Sequence, residues 1–333
     1  LELHTWLRDE HGFSGSARSV QRYYRKVFPK PRRRARRRVE TPPGAQAQVD
    51  WAHWPRVLVG GRRRDLLSFS MQLSHSRMDA MIWTTSKDQL AWQSAHNGSF
   101  RRIEGIPATV RVDNEKTAIS RGAGAWGEVN KAYRRYALEV RFHVDACQPR
   151  APEAKGKVER RIRDKRLGID PYRRHWNDLS ELQALTDERV LQSASRRRCP
   201  VTGTSVLEAW EAEKKHLQPV PILPEPFDLV AQRQVRSDCL VSFEGRQYSV
   251  PFALVGTRVE VRGGAGRVQV VHGGSIVADH ARHTDEVLVI DPVHFDGEST
   301  DAVIAPVPLG RMGRRLQEIW EMEAQRRPLD LYA

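Results

Sequence analysis

The sequence predicts a multidomain α/β protein: an alternating α/β core, a small helical unit before it and a small β-barrel after it. Three observations predict this. Residues 45–170 read as β-β-β-α-β-α-β-α by their apolar periodicity. Residues 1–28 read as helix, glycine turn and basic helix. Residues 232–283 hold short valine-rich segments separated by glycine turns. A chain of 333 residues has room for two or three domains, and 39% hydrophobic content is enough for packed cores. The chain begins at Leu1 rather than at a methionine, so an N-terminal truncation is expected.

In the first unit, Leu3, Trp6 and Leu7 share one helical face, and His11–Gly15 breaks the pattern. Ser16 can cap a second helix, Ala17 to Val27, by accepting a backbone N–H. Val20, Tyr24 and Val27 form its apolar stripe, which leaves Arg18, Gln21, Arg22 and Arg25 on the open face. This fits a helix-turn-helix whose second helix enters a major groove; an ordinary helical hairpin with a solvated basic face is the alternative. The next block carries seven basic residues in nine: Lys30, Arg32, Arg33, Arg34, Arg36, Arg37 and Arg38. Such a block repels itself and cannot pack, so it reads as a linker suited to phosphates.

In the core, Ala47–Trp51 is a short strand, and Asp65–Leu73 and Met78–Thr85 are the next two. Asp88–Glu104 is a helix with Leu90, Ala91, Ala95 and Phe100 on one face. Ala108–Val112 is a strand, Glu128–Leu138 a helix, Glu139–Val144 a strand and Glu153–Leu167 a strongly basic helix. Residues 176–217 are helical, interrupted near Pro200. Pro219, Pro221, Pro224 and Pro226 mark a linker. Leu240–Phe243 and Gln247–Val250 flank Glu244-Gly245, a hairpin signal, and three more short strands end at Asp279. The tail beyond holds one helix, Met312–Gln325.

Charge is distributed unevenly. The chain has 55 Lys+Arg against 41 Asp+Glu, a net +14, but residues 1–170 carry +17 and residues 171–333 carry −3. A field confined to one half points to a polyanion, most often nucleic acid. No apolar run reaches membrane-span length, and no apolar signal segment opens the chain. Cys147, Cys199 and Cys239 stand far apart with no C-x-x-C, which argues against a disulfide framework or a zinc finger and for a reducing compartment.

Three acids stand where chemistry is expected. Asp50 lies inside an apolar strand, a costly position unless something compensates it. Asp113 ends a strand, and carboxyl ends of strands form the active crevice of open α/β sheets. Glu159 sits mid-helix near Gly156. If the sheet has the ribonuclease-H-like order, the three converge. Their mutual repulsion calls for divalent cations, and an all-oxygen donor set favours Mg²⁺ or Mn²⁺ over zinc. Taken singly, each acid reads more readily as structural: Asp113 as a turn residue before Asn114 and Glu159 as an ion-pair partner of Lys155 or Arg163.

Ala47-Gln48-Val49-Asp50-Trp51, the run Gly105-Ile106-Pro107 through Val112-Asp113-Asn114-Glu115-Lys116-Thr117-Ala118, and Pro149-Arg150-Ala151-Pro152-Glu153-Ala154-Lys155-Gly156-Lys157-Val158-Glu159-Arg160 resemble the IstA transposases of the insertion-sequence-21 family. The resemblance runs from the helix-turn-helix to the barrel, and the Lys-Gly-Lys-Val-Glu-Arg box is quite specific. It implies a ribonuclease-H-like DDE core with the triad Asp50, Asp113 and Glu159, holding two Mg²⁺ (or Mn²⁺) ions. It also implies a barrel resembling that of phage Mu transposase and an IstB-type helper ATPase as partner. The implied reaction is metal-assisted 3′-end cleavage by water, then attack of the freed 3′-OH on target DNA. A homo-oligomer would act on paired ends in the bacterial cytoplasm, with no membrane involved.

Lys116, Lys155 and Lys157 are candidates for holding phosphates, with Arg160 and Arg163 on or near the same helix. Trp51 and Trp54 suit core packing more than base stacking, and His53 and His75 suit structural roles more than ligation. The expected organisation is a helix-turn-helix at 1–28, a basic linker at 29–44, the catalytic domain with a helical extension at 45–218, a proline-rich linker at 219–231, the barrel at 232–283 and a tail at 284–333. Other readings are a retroviral-type integrase, which lacks here its preceding His-His-Cys-Cys module, a catalytically silent DNA-binding regulator, and a general nuclease.

Overall fold

The computed structural model describes residues 2–28, 40–112, 119–121, 128–146 and 168–307, together with 315, 318 and 319. The chain divides into two compact units, Leu1–Glu40 and Thr41–Ala333.

The first unit holds α1 (Glu2–His11) and α2 (Ala17–Val27). The Ser16 hydroxyl caps α2 by accepting the Ser19 N–H at 3.2 Å. The expected buried stripe is not buried: Tyr24 is 51% exposed and Val27 46%, and on α1 Trp6 is 52% exposed. Two helices this short have too little facing surface to cover each other.

In the second unit, β1 (Gln46–Val59), β2 (Arg62–Leu73), β3 (Asp79–Thr84), β4 (Thr109–Val112) and β7 (His143–Ala146) form a five-stranded sheet in the order β3-β2-β1-β4-β7. β5 (Ile119–Arg121) and β6 (Glu128–Val129) pair separately. β1, β2 and β3 are antiparallel neighbours, whereas β4 joins β1 in parallel and β7 joins β4 in parallel. This mixed order is the ribonuclease-H-like one.

β1 is far longer than the expected Ala47–Trp51. It passes Pro55, which gives no N–H, by a register shift between Trp54 and Val57, with Arg56 at φ 57°. α3 (Gln89–Ile103) is capped by Asp88, whose carboxylate accepts the Ala91 N–H at 2.8 Å. α4 (Lys131–Val140) starts later than expected because the Asn130 side chain caps it, accepting the N–H groups of Ala132 and Tyr133. The helix also runs through Glu139 and Val140, so the following strand begins only at His143. α5 (Leu179–Arg196) covers the free edge of β3. There the Gln183 amide accepts from Trp83 N–H and donates to Met81 C=O, as a neighbouring strand would. α6 (Val206–Lys214) opens with a Ser205/Glu208 capping box.

Residues 229–289 form a second apolar core. β8 (Leu229–Gln234), β11 (Arg258–Gly263), β12 (Arg267–His272) and β13 (Ser275–Ala281) make one antiparallel sheet in the order β13-β12-β11-β8. β9 (Leu240–Phe243), β10 (Arg246–Ser249) and β14 (Leu288–Val289) make another. Valines 241, 259, 261, 268 and 270 pack between them with Phe243 and Tyr248. The expected strands are present as two small sheets, and β8 is an addition that the flanking prolines obscured. Of the expected tail helix, Arg315, Glu318 and Ile319 are helical and the remainder lies outside the described residues. No helix among the described residues is long and apolar enough to cross a membrane.

Candidate active site

Asp50 lies midway along β1, at the centre of the sheet, opposite Ser70 of β2. Strand alternation sends Ala47, Val49 and Trp51 to one face and Gln46, Gln48 and Asp50 to the other. The two faces differ in chemistry.

Trp51 packs on Phe69 with ring centroids 5.1 Å apart and on Trp92 of α3 at 6.1 Å. Behind them lie Phe100, Tyr133, Tyr136 and Phe142, all buried. His96 sits among these rings, with Nδ1 2.8 Å from the Trp92 carbonyl and Nε2 3.1 Å from the Tyr133 hydroxyl. Burial pushes the His96 imidazole down to about 4, so it is neutral there at pH 7. The same burial raises the Tyr133 hydroxyl well above its ordinary value.

Asp50's face is polar. Asp50 Oδ1 accepts the Trp51 N–H at 3.0 Å, and the carboxylate is half-buried. Gln48 donates to the Gln46 side chain at 3.3 Å. Gln72 donates to Asp79, whose other oxygen takes Arg197 Nη2 at 3.0 Å. Two buried oxygens beside Asp50, Gln48 Oε1 and Ser70 Oγ, have no hydrogen-bond partner among the described residues. Buried polar atoms rarely stay unpaired without a reason.

Of the sequence-predicted triad, Asp50 is placed, whereas Asp113 and Glu159 lie outside the described residues. β4 ends at Val112, immediately before Asp113, and runs parallel to β1 with Arg111 opposite Gln48. No cluster of three or more His, Cys, Asp or Glu suited to a metal occurs among the described residues. The donors that are present (the Asp50 carboxylate, an amide oxygen and a hydroxyl) are all hard oxygens, and that set fits Mg²⁺ or Mn²⁺.

Arg18, Gln21, Arg22 and Arg25 are exposed on α2. Lys30, Arg32, Arg33, Arg34, Arg36, Arg37, Arg38, Lys116, Lys155, Lys157, Arg160 and Arg163 lie outside the described residues, as do Cys147 and the glycine-rich stretch 122–127. Trp54 donates its indole N–H to Ser68 Oγ at 2.9 Å and packs on Trp83, so both candidate stacking tryptophans are packing residues. His53 is exposed, 3.5 Å from the Asp65 carboxylate, and His75 Nδ1 is 3.0 Å from the Thr41 carbonyl. Both pairings are structural in kind.

Sequence reasoning missed the residues that fix the site to its surroundings. Glu213, buried on α6, accepts the Gly44 N–H through Oε1 at 2.9 Å and the Ser76 N–H through Oε2 at 3.0 Å. It thereby ties the approach to β1 to the β2–β3 turn. Gln93 of α3 exchanges two hydrogen bonds with the Phe227 backbone at 2.7 and 3.0 Å, and Asn97 donates to the Pro224 carbonyl at 2.9 Å. Both helices carry polar residues throughout, so no local signal singled these out.

Residues 220–290 match the family described as Mu transposase, C-terminal domain. Over 258 residues the chain is 28% identical to a protein of insertion sequence element IS5376 from Geobacillus stearothermophilus, covering 76% of this chain and 62% of that one. It is also 28% identical over 254 residues to the transposase of insertion sequence element IS21 from Pseudomonas aeruginosa, covering 75% and 64%. The chain thus spans a little under two thirds of the length of these relatives. Among solved structures, the catalytic core domain of HTLV-2 integrase in complex with magnesium aligns over 51% of this chain and 99% of its own at 10% identity, with a TM-score of 0.36. By sequence, the chain is similar to transposases of insertion sequence elements, those of IS5376 and IS21 among them.

Proposed function

We propose that the chain is a DDE transposase that binds transposon ends and carries out metal-dependent 3′-end cleavage and strand transfer into target DNA. The observation that carries this reading is the position of Asp50 at the centre of the β3-β2-β1-β4-β7 sheet, beside the carboxyl end of β4. In the β1–β4 register Gln48 lies opposite Arg111, and β4 ends at Val112. The named insertion-sequence relatives favour this reading over a viral integrase or a silent regulator.

Asp50, with Asp113 and Glu159, would hold two Mg²⁺ or Mn²⁺ ions. When bound, these supply activation of an oxygen nucleophile and neutralisation of the leaving oxygen. The protein's own residues orient the phosphodiester and hold the carboxylates in place. Water is the first nucleophile and the freed 3′-OH the second, so no side chain is modified covalently. Arg18, Gln21, Arg22 and Arg25 would read the end sequence from α2, and the basic block Lys30–Arg38 with Lys116, Lys155, Lys157 and Arg160 would hold phosphates. The working assembly would be a homo-oligomer on paired ends, served by an IstB-type ATPase in the bacterial cytoplasm. The β-module of residues 229–289 would be the Mu-like barrel and residues 1–28 the helix-turn-helix.

The test is Asp50→Asn in a cleavage assay on end-bearing duplex. The expected loss is about 10²-fold or more, with end binding retained in a mobility-shift assay. Cleavage near the wild-type rate would remove Asp50 from the triad.

A further inference from the structure

β1 and β2 continue beyond the five-stranded sheet as a two-stranded ribbon. β3 pairs only with Leu67–Gln72 of β2, and β4 only with Gln46–Gln48 of β1. The outer part, Val57–Val59 against Arg62–Arg64, turns at Gly60-Gly61, both at positive φ. Residues 171–176 run along the ribbon's β1 side. Trp176 N–H donates to the Leu58 carbonyl, Gly60 N–H donates to the Trp176 carbonyl, and the Tyr172 hydroxyl donates to the Pro55 carbonyl at 3.0 Å. Val57, Val59 and Leu66 of the ribbon and Trp176 of the strap are buried, so the ribbon is a packed and stable element.

Its surface is basic. Arg56, Arg62, Arg63, Arg64, Arg173 and Arg174 are all exposed. Among the described residues, only Arg174 of the six pairs its guanidinium with a carboxylate, Glu181 at 3.1 Å, while Asp65, the acid next to Arg64, accepts the Arg56 backbone N–H at 2.9 Å. Several arginines elsewhere in this unit are matched, among them Arg102 with Asp187, Arg267 with Asp279, and Arg282 with Glu244 and Asp228. Three consecutive unmatched guanidinium groups at the start of one strand repel one another. An ordinary solvated face mixes the two signs evenly, whereas this tip sets three arginines beside the single acid Asp65. The parity of β2 also sets Arg62 and Arg64 on the same face as Ser70, the residue opposite Asp50. At about 3.3 Å per residue, Arg64 stands roughly 20 Å from that point along the strand.

We infer that this arginine-tipped ribbon is a docking surface for the phosphodiester backbone of duplex DNA, running outward from the position of Asp50. Duplex DNA presents one charge per about 1.7 Å of axis, so a ribbon tip meets several phosphates at once. Arginine's planar fork suits phosphate oxygens without reading base sequence. The inference rests on the transposase reading above, and it adds a DNA-facing surface outside the helical unit and the basic linker.

The test uses the full chain and two fluorescent duplexes, one of random sequence and one bearing the terminal sequence of the element that encodes the chain. Affinity is measured against salt concentration by anisotropy. The triple variant Arg62→Gln/Arg63→Gln/Arg64→Gln should flatten the slope of log affinity against log salt by about 2–3, at roughly 0.9 for each phosphate no longer neutralised. The matching triple lysine variant should keep the wild-type slope. A change on both duplexes assigns the ribbon to backbone in general, and a change on the end duplex alone assigns it to donor DNA. An unchanged slope on both duplexes, or equal loss in the lysine variant, overturns the inference. The wild type keeps the two readings apart: salt-dependent wild-type binding with a failed ribbon test sinks the ribbon alone, whereas no salt-dependent binding by the wild type sinks the transposase reading as well.

Discussion

Arg135 on α4 donates to Glu260 on β11 at 2.6 Å, and the contact is crossed by a second pair, Arg262 on β11 with Glu139 on α4 at 2.5 Å. Arg262 also reaches Glu260 at 2.7 Å, so four side chains close one network between the sheet domain's helix and the β-module. Arg262 and Glu260 are both buried.

Removing one partner from such a network leaves a buried charge without compensation. Glu260→Ala should therefore cost about 3–5 kcal/mol. Calorimetry should show it as a lowered or split thermal transition. The Glu260→Ala/Arg262→Met double variant should recover much of the loss. A single variant that melts like the wild type would show that the network does not hold the modules together.

Glu213 is the acceptor for two backbone N–H groups, one on each carboxylate oxygen. An amide offers one oxygen, so Glu213→Gln should cost about 1–3 kcal/mol and Glu213→Ala more. Gly44, whose N–H is one of these donors, has φ +69°, and an added Cβ would stand 2.2 Å from the His216 carbonyl oxygen. Gly44→Ala should thus be at least as damaging as Glu213→Gln in denaturant melts. The reverse order would show that the backbone there relaxes easily.

His96 gives the fold an acid sensitivity. Its imidazole titrates near 4 when folded, lowered from 6.5 by burial. The unfolded chain therefore takes up this proton first as pH falls. The neutral buried form contributes stability above about 6.5, and that contribution is lost progressively as pH falls toward 4, by roughly 3 kcal/mol in total. Melting temperature should fall over that window, and His96→Phe should melt with a flatter pH dependence. The same slope in that variant would assign the sensitivity to other groups.

Metal dependence separates binding from chemistry. Chelation should abolish 3′-end cleavage and leave end binding within about twofold, and Mg²⁺ or Mn²⁺ should restore cleavage. Zn²⁺ should restore it poorly, because the donors around Asp50 are hard oxygens. Full activity with Zn²⁺ would contradict that donor argument.

Much of the architecture was legible in the sequence because its signals are local. Ser16 and Asp88 announce helix starts, and the alternation through Ala47–Trp51 fixes which face Asp50 takes. What escaped depends on partners distant in the chain. Pro55 suggests that β1 stops, yet the ribbon continues because Trp176, more than a hundred residues later, pairs along it. β8 looks like linker until β11 is there to receive it. The stripe on α2 is correctly amphipathic and still exposed, since periodicity gives a face and not its cover. Glu213, Gln93 and the Arg135–Glu260 network carry no local pattern at all.

Asp50 and Trp51 are adjacent residues facing opposite environments, one among polar oxygens and one within an aromatic box. A slip of a single residue between β1 and β2 would exchange them, driving a carboxylate against Phe69 and Trp92 and an indole into the polar face. The penalty for that exchange acts as a ratchet on strand alignment. Insertions or deletions between residues 46 and 54 should therefore be far less tolerated than substitutions there, and the site keeps its reading frame through the packing on the face that does no chemistry.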